Sequence, residues 1–208
     1  MRPALVALMA LLLLTACTEE EPKPIPGTEV PNGFHRIGGI ANGVSIGVPT
    51  VWKSADFSKP DGEAQMTATG LTGTALERAK KGIAALMSAK AVYAVDPTSE
   101  KKSAAGLVTN LSGLCRPSVG ASDDALIAVA SKEIASYDAK IVDAGPVTLG
   151  TVHGVRIRYT AEMYGAQSQG TQYYIPSPKG TTCVVTLTTD LAGMESLFEQ
   201  IGSTIRLL

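Results

Sequence analysis

The chain has 208 residues, of which 45% are hydrophobic and 5% aromatic, and its 18 basic residues nearly balance its 19 acidic residues. This length fits one domain with a single hydrophobic core and is too short for two cores joined by a linker. A net charge of -1, without a cluster of arginine and lysine to neutralise phosphates, excludes a nucleic-acid partner.

The amino-terminal segment has the pattern of a secretory signal. Arg2 precedes the apolar run Ala4–Leu14, which is too short to span a bilayer. Leu14-Thr15-Ala16-Cys17 resembles the bacterial lipobox, in which the cysteine thiol receives a diacylglyceryl group and becomes the first mature residue. We therefore predict a signal peptide over residues 1–16 and a lipid on Cys17 that attaches the protein to a membrane. The alternative is a plain cleavable signal followed by an unmodified cysteine.

Residues 17–33 are rich in glutamate and proline and contain few apolar side chains. Such a stretch cannot offset the entropy of ordering by burying apolar surface. We predict that it is a tether between the lipid anchor and a single folded domain over residues 34–208.

The first elements of the folded part are two short strands. Alternating residues predict strands at His35–Gly38 and Val44–Val48, with a turn at Asn42-Gly43 between them. The segment from residue 56 to 72 has weak patterning, and we assign no element to it.

An amphipathic helix is predicted next. Its apolar face consists of Leu76, Ala79, Ile83, Leu86 and Met87. The opposite, solvent-facing side carries the charged residues Glu77, Arg78, Lys80 and Lys81. Two strands are predicted after this helix, at Ala91–Val95 and Gly106–Leu111.

The second half begins with a helix and continues with strands. Ser122, followed by Asp123 and Asp124, is a typical capped helix start. The β-rich stretches that follow are Lys140–Leu149, Val152–Tyr164, Gln169–Ile175 and Thr182–Thr188. Asp190 is predicted to cap a final helix. Helices combined with consecutive strands predict an α+β domain, an antiparallel sheet flanked by helices.

This order of elements resembles the PsbP, Mog1 and DcrB-like family, which includes many bacterial lipoproteins with an α/β/α sandwich. The residues that carry the resemblance are Val44–Pro49 with Trp52, the strand pair from Val92 to Leu111, Gln172–Ile175, Cys183–Thr189 and the closing helix to Ile205. The resemblance covers residues 34–208 and implies the sandwich fold. It also implies a binding or assembly role without catalysis, and we expect no cofactor.

Cys115 and Cys183 are the two cysteines that remain once Cys17 is assigned to lipid. An isolated pair in an exported domain suggests a disulfide. The alternative is two separate buried thiols.

Gly43-Val44-Ser45-Ile46-Gly47 matches the Gly-x-Ser-x-Gly pattern of hydrolases. That pattern requires a helix directly after the serine, whereas Ser45 lies in a strand-like segment that runs into Pro49. The chain has 2 histidines, His35 and His153, and their spacing does not predict a metal site.

The connection around residues 165–170 is polar and has tyrosines on either side. Such a loop could contact a partner, since tyrosines offer an apolar face and a polar tip. The candidate partner-binding residues are Tyr164, Gln167, Gln169 and Tyr173. The alternative is a plain hairpin whose tyrosines pack on the sheet.

The sequence therefore favours an extracytoplasmic binding or assembly module, held by lipid at the cell membrane or outer membrane, whose partner is an unidentified envelope protein or ligand. One alternative is a carrier of a small apolar or lipidic ligand in a cavity between sheet and helix. Another is a serine hydrolase that uses Ser45.

Overall fold

The computed structural model of the chain describes residues 30–118 and 122–208. The strands in these stretches are β1 (Phe34–Gly39), β2 (Val44–Pro49), β3 (Lys53–Asp56), β4 (Val92–Val95), β5 (Asn110–Pro117), β6 (Lys140–Leu149), β7 (Val152–Met163), β8 (Ala166–Ser177), β9 (Thr181–Thr189) and β10 (Arg206–Leu207). The helices are α1 (Gly62–Thr67), α2 (Gly73–Ser88), α3 (Asp123–Ala135) and α4 (Glu195–Ser203). The predicted α+β class is confirmed.

Seven strands form the central sheet, in the order β3-β4-β5-β9-β8-β7-β6, and every neighbouring pair is antiparallel. Strands β6 to β9 are consecutive both in the chain and in the sheet, because each is joined to the next by a short turn. A second sheet has the order β1-β2-β10.

Side chains alternate along each central strand and so supply two different cores. Val92 and Ala94 of β4 belong to the core that also contains residues of β2 and α4. Tyr93 and Val95, which alternate with them, pack on the opposite face against α2. On that same face α3 packs against β7, β8 and β9. The central sheet therefore lies between α2 and α3 on one side and α4 with the small sheet on the other.

Local signals explain several element boundaries. Helix α3 begins at Asp123, and Ser122 caps it as predicted, since the Ser122 hydroxyl oxygen accepts a hydrogen bond from the Ala125 N–H at 3.3 Å. The weakly patterned segment contains α1, a helix of 6 residues that is too short to show a periodic apolar stripe.

The strand predicted at residues 106–111 begins only at Asn110, because side chains satisfy the backbone of the preceding loop. The Ser99 hydroxyl oxygen accepts from the Thr109 N–H at 2.8 Å, and the Ser103 hydroxyl oxygen accepts from the Leu107 N–H at 2.7 Å. Ser103 also donates to the carboxylate of Asp190. The prediction that Asp190 caps the last helix is therefore wrong, and α4 begins at Glu195 without a side-chain cap.

Across residues 30–118 and 122–208, the structure contains no helix with the length and apolar character needed to cross a membrane.

Candidate functional site

The predicted lipidation site, Cys17, and the boundaries of the signal peptide and tether before residue 30 lie outside the described residues. Cys115 and Cys183 are joined by a disulfide. They lie directly opposite each other on the neighbouring strands β5 and β9. Cys183 is buried, and Cys115 is half-buried next to Gly43.

Ser45 lies within β2, where it is 9% exposed and is paired with Gly38 of β1 and Arg206 of β10. The strand continues from Ser45 to Pro49 without the strand-to-helix turn that a nucleophile elbow requires. The geometry around Ser45 is therefore that of a strand residue.

The histidine His153 forms a contact of its own, since its Nε2 atom lies 2.9 Å from the carboxylate of Asp123.

No group of three or more histidine, cysteine, aspartate or glutamate side chains capable of holding a metal is found in the described part of the chain.

Tyr164 and Gly165 form the two-residue turn between β7 and β8. Both have positive φ, at 57° and 82°, and Met163 pairs with Ala166 to close the turn. Tyr164 is 51% exposed. Turns of this type favour asparagine, aspartate or glycine, so a tyrosine in the left-handed region is unusual.

The other three candidate partner-binding residues lie on β8. Gln167 is exposed and Gln169 is half-buried. Tyr173 is 1% exposed, and its hydroxyl donates to the Phe198 carbonyl of α4 at 3.1 Å. Burial raises the pKa of Tyr173 to about 12. Tyr173 is thus a core residue that joins the sheet to α4, and it does not form part of an accessible surface with Tyr164.

Arg78 of α2 packs on the exposed tyrosine of this turn. The guanidinium carbon of Arg78 lies 3.8 Å from the centroid of the Tyr164 ring, which is a cation–π geometry. Its Nη1 atom also donates to the Ala105 carbonyl at 3.1 Å. The prediction that Arg78 lies on the solvent-facing side of the helix is wrong, since the residue is half-buried between the turn and the loop before β5.

A cavity of about 110 Å³ lies beside this contact, bounded by α2, β4, the start of β5 and the β7–β8 turn. Its apolar lining comes from Leu71, Ala75, Ala79, Leu107, Val108 and Met163. Tyr93 and Asn110 add polar groups. Because Asn110 pairs with Val95, two residues from Tyr93, these polar side chains are diagonal neighbours on one face of the sheet.

The polar groups of the cavity are only partly used by the protein. Asn110 donates from Nδ2 to the Val108 carbonyl at 2.9 Å. Neither its Oδ1 atom nor the Tyr93 hydroxyl is hydrogen-bonded within the described residues. Burial raises the pKa of Tyr93 above its usual value, so its hydroxyl stays protonated well beyond neutral pH and can donate a hydrogen bond.

Together, Arg78, Tyr93 and Asn110 place a cation, a hydroxyl donor and an amide acceptor around an apolar space. Such a set of groups can hold and orient a small molecule. Tyr164 is the one sequence-predicted candidate that belongs to this site. In the sequence, Arg78 lies between two small residues, Ala75 and Ala79, at the border of the apolar stripe of the helix. Small side chains leave room for a guanidinium, and this is the pattern that could have indicated its place in the site.

Neither a protein-family model nor a curated protein matches this chain. Among solved structures, cyanobacterial PsbP from Synechocystis sp. PCC 6803 has 12% identity and a TM-score of 0.48, and the alignment covers 85% of this chain and 93% of that protein. The Ran-binding protein Mog1p of Saccharomyces cerevisiae has 11% identity and a TM-score of 0.48, with 84% and 95% of the two chains covered.

A protein of Bacteroides thetaiotaomicron has 11% identity and a TM-score of 0.49, and the alignment covers 85% of this chain but 49% of that one. This chain therefore spans about half the length of the Bacteroides protein. The solved structures similar to this chain thus include PsbP and Mog1p.

Proposed function

We propose that this protein is a lipid-anchored extracytoplasmic binding module without catalytic activity, and that it binds a small ligand in the cavity next to Arg78 and Tyr164. The observation that carries the proposal is the Arg78–Tyr164 contact at 3.8 Å, which holds a half-buried cation at an apolar cavity. The module would act at the cell membrane or outer membrane.

Two features support a location outside the cytoplasm. The sequence Leu14-Thr15-Ala16-Cys17 follows an apolar signal segment, and the tether predicted at 17–33 would separate the lipid from the domain. The disulfide between Cys115 and Cys183 fits an oxidising compartment, because cytosolic thiols are kept reduced.

The size of the cavity favours a small ligand over a lipid. An apolar cavity of roughly 150 Å³ accommodates benzene, and the cavity of this protein measures about 110 Å³. A long acyl chain exceeds this volume, so this cavity favours the small apolar molecule over the lipid.

Metabolic labelling with a radioactive fatty acid tests the anchor. Wild-type protein expressed in its own host should incorporate the label and sediment with membranes, while Cys17→Ala should do neither. An unlabelled wild-type protein would contradict the lipid anchor.

Native mass spectrometry of the protein purified from its own host tests the binding site. The wild type should carry one small molecule of constant mass, and Arg78→Met should lack it. Lys80→Met is the matched control, because Lys80 is an exposed cation on the same helix, paired with Glu77. Its bound mass should equal that of the wild type. A wild type without ligand, or equal occupancy in Arg78→Met, would refute the proposed site.

A further inference from the structure

We infer that the ligand of the cavity is a compact monocarboxylate with a short or branched apolar tail, bound through Arg78. This inference rests on the proposed function and adds to it the chemical class of the ligand. Three independent observations lead to it: the unpaired charge of Arg78, the volume and lining of the cavity, and the backbone conformation of Tyr164.

The first observation concerns the charge. Arg78 has no carboxylate within ion-pair distance among the residues that the structure describes, although it is half-buried. Its Nη1 atom donates to the carbonyls of Ala105 and Gly106, at 3.1 and 3.5 Å, and its Nε and Nη2 atoms donate to no described residue. A half-buried cation is stabilised by an anion beside it, and the planar guanidinium matches a carboxylate with two parallel hydrogen bonds.

The second observation concerns size and lining. The cavity of about 110 Å³ is surrounded mainly by aliphatic side chains, including those of Leu71, Leu107 and Val108. By comparison with benzene-sized cavities, it holds about four or five carbon atoms. Tyr93 also lines this space, and its side chain carries a hydroxyl that can donate a hydrogen bond. In a molecule with an aliphatic tail of this length and one carboxylate, the carboxylate can pair with the Arg78 cation and accept a hydrogen bond from the Tyr93 hydroxyl. The tail can pack against the apolar lining.

The third observation concerns Tyr164. Its φ of 57° places a bulky aromatic residue in the left-handed region, where asparagine or glycine would lie without strain. Such strain persists where the surrounding structure or the function requires it. The ring of Tyr164 covers the Arg78 guanidinium at 3.8 Å, and this contact aligns the guanidinium at the edge of the cavity. Tyr164 is thus a positioning residue for Arg78.

The test compares isovalerate with 3-methylbutan-1-ol, which has the same branched tail but a neutral head group. Both probes are titrated into wild type, Arg78→Met and Lys80→Met while the amide resonances of the protein are recorded by NMR. Wild type and Lys80→Met should bind isovalerate at least about tenfold more tightly than the alcohol, and Arg78→Met should lose at least about tenfold in affinity for isovalerate. The shifted resonances should lie in α2, residues 106–110 and the β7–β8 turn.

Each other result overturns a defined part of the account. Equal affinity for acid and alcohol, or an unchanged affinity in Arg78→Met, overturns the carboxylate assignment. If neither probe binds the wild type but native mass spectrometry finds a bound compound, the ligand class is wrong and the proposed function stands. If neither probe binds and no compound is found, both fail. Arg78→Lys keeps the charge but loses the planar fork, so it should bind isovalerate with intermediate affinity. This variant provides the test if Arg78→Met fails to fold.

Discussion

The guanidinium of Arg78 lies over the ring of Tyr164 at 3.8 Å and thereby ties helix α2 to the turn between β7 and β8. The two residues are far apart in the sequence, so they come into contact only in the folded chain. The pair forms one border of the cavity that also contains Tyr93 and Asn110.

Two substitutions at Tyr164 separate the backbone strain of the turn from the stabilisation that the ring gains by packing on Arg78. An alanine loses the ring and keeps an unfavourable positive φ, whereas an asparagine loses the ring and tolerates that φ. We therefore expect Tyr164→Asn to be more stable than Tyr164→Ala by about 1 kcal/mol in urea unfolding. Both variants should bind ligand more weakly than the wild type. Equal stability of the two variants would show that the turn is unstrained.

Patterning predicted the elements that have a long apolar stripe or a regular alternation. Helix α2, helix α3 with its Ser122 cap, and the antiparallel run of β6 to β9 follow from periodicity and turn residues that act locally. The missed elements include β3, α1 and β10, which have 4, 6 and 2 residues, and such lengths show no reliable period.

The site could not be assembled from the sequence in the same way. The charge pattern of the helix predicts that Arg78 faces solvent, but such a pattern does not show that a distant turn covers the residue. The position of Tyr173 near the same hairpin groups it with Tyr164, but helices cover both faces of the sheet here, and Tyr173 is buried against α4. Asp190 resembles a cap because it is an aspartate that precedes a helix. Its actual hydrogen-bond donor, Ser103, lies in a distant loop that the sequence does not place beside it.

Removal of the disulfide should destabilise the domain. Cys115 and Cys183 are separated by 68 residues, and the loop-closure model gives about 4 kcal/mol for a crosslink of that span. Measured values are often smaller, so Cys115→Ala/Cys183→Ala should lose about 2–4 kcal/mol in urea unfolding. The wild type should show no free thiol from this pair when it is denatured without reductant. Two reactive thiols in that assay would contradict the disulfide.

Tyr173→Phe should have a structural effect only. The lost hydrogen bond to the Phe198 carbonyl predicts a loss of about 1 kcal/mol of unfolding free energy. Ligand affinity should equal that of the wild type, because Tyr173 is buried against α4 on the face opposite the cavity. A variant that keeps its stability and loses ligand would restore Tyr173 as a binding residue.

The free energy of unfolding at low pH should depend on Asp143. The hydrogen bond from Arg156, at 2.9 Å, and the nearby charge of Arg158 hold the pKa of Asp143 below its usual value. Because the folded-state pKa is lowered, the stabilisation is fully present above the unfolded-state pKa of about 3.9 and is lost as the pH falls through the folded-state pKa.

The difference in unfolding free energy between wild type and Asp143→Asn should therefore be constant near neutral pH and shrink below about pH 4. Urea unfolding between pH 3 and pH 7 measures it. Glu162→Gln is the control, since exposed Glu162 forms no ion pair among the described residues. A difference that grows towards low pH would contradict the assigned role of Arg156.

The most direct measurement of the central claim is a crystal structure of the wild-type protein with the compound that native mass spectrometry identifies. We expect density for that compound between α2 and the β7–β8 turn, with its anionic group within about 3.5 Å of the Arg78 guanidinium, a normal hydrogen-bond limit. Density for the compound at another surface, with the cavity beside Tyr164 holding water alone, would contradict the central claim.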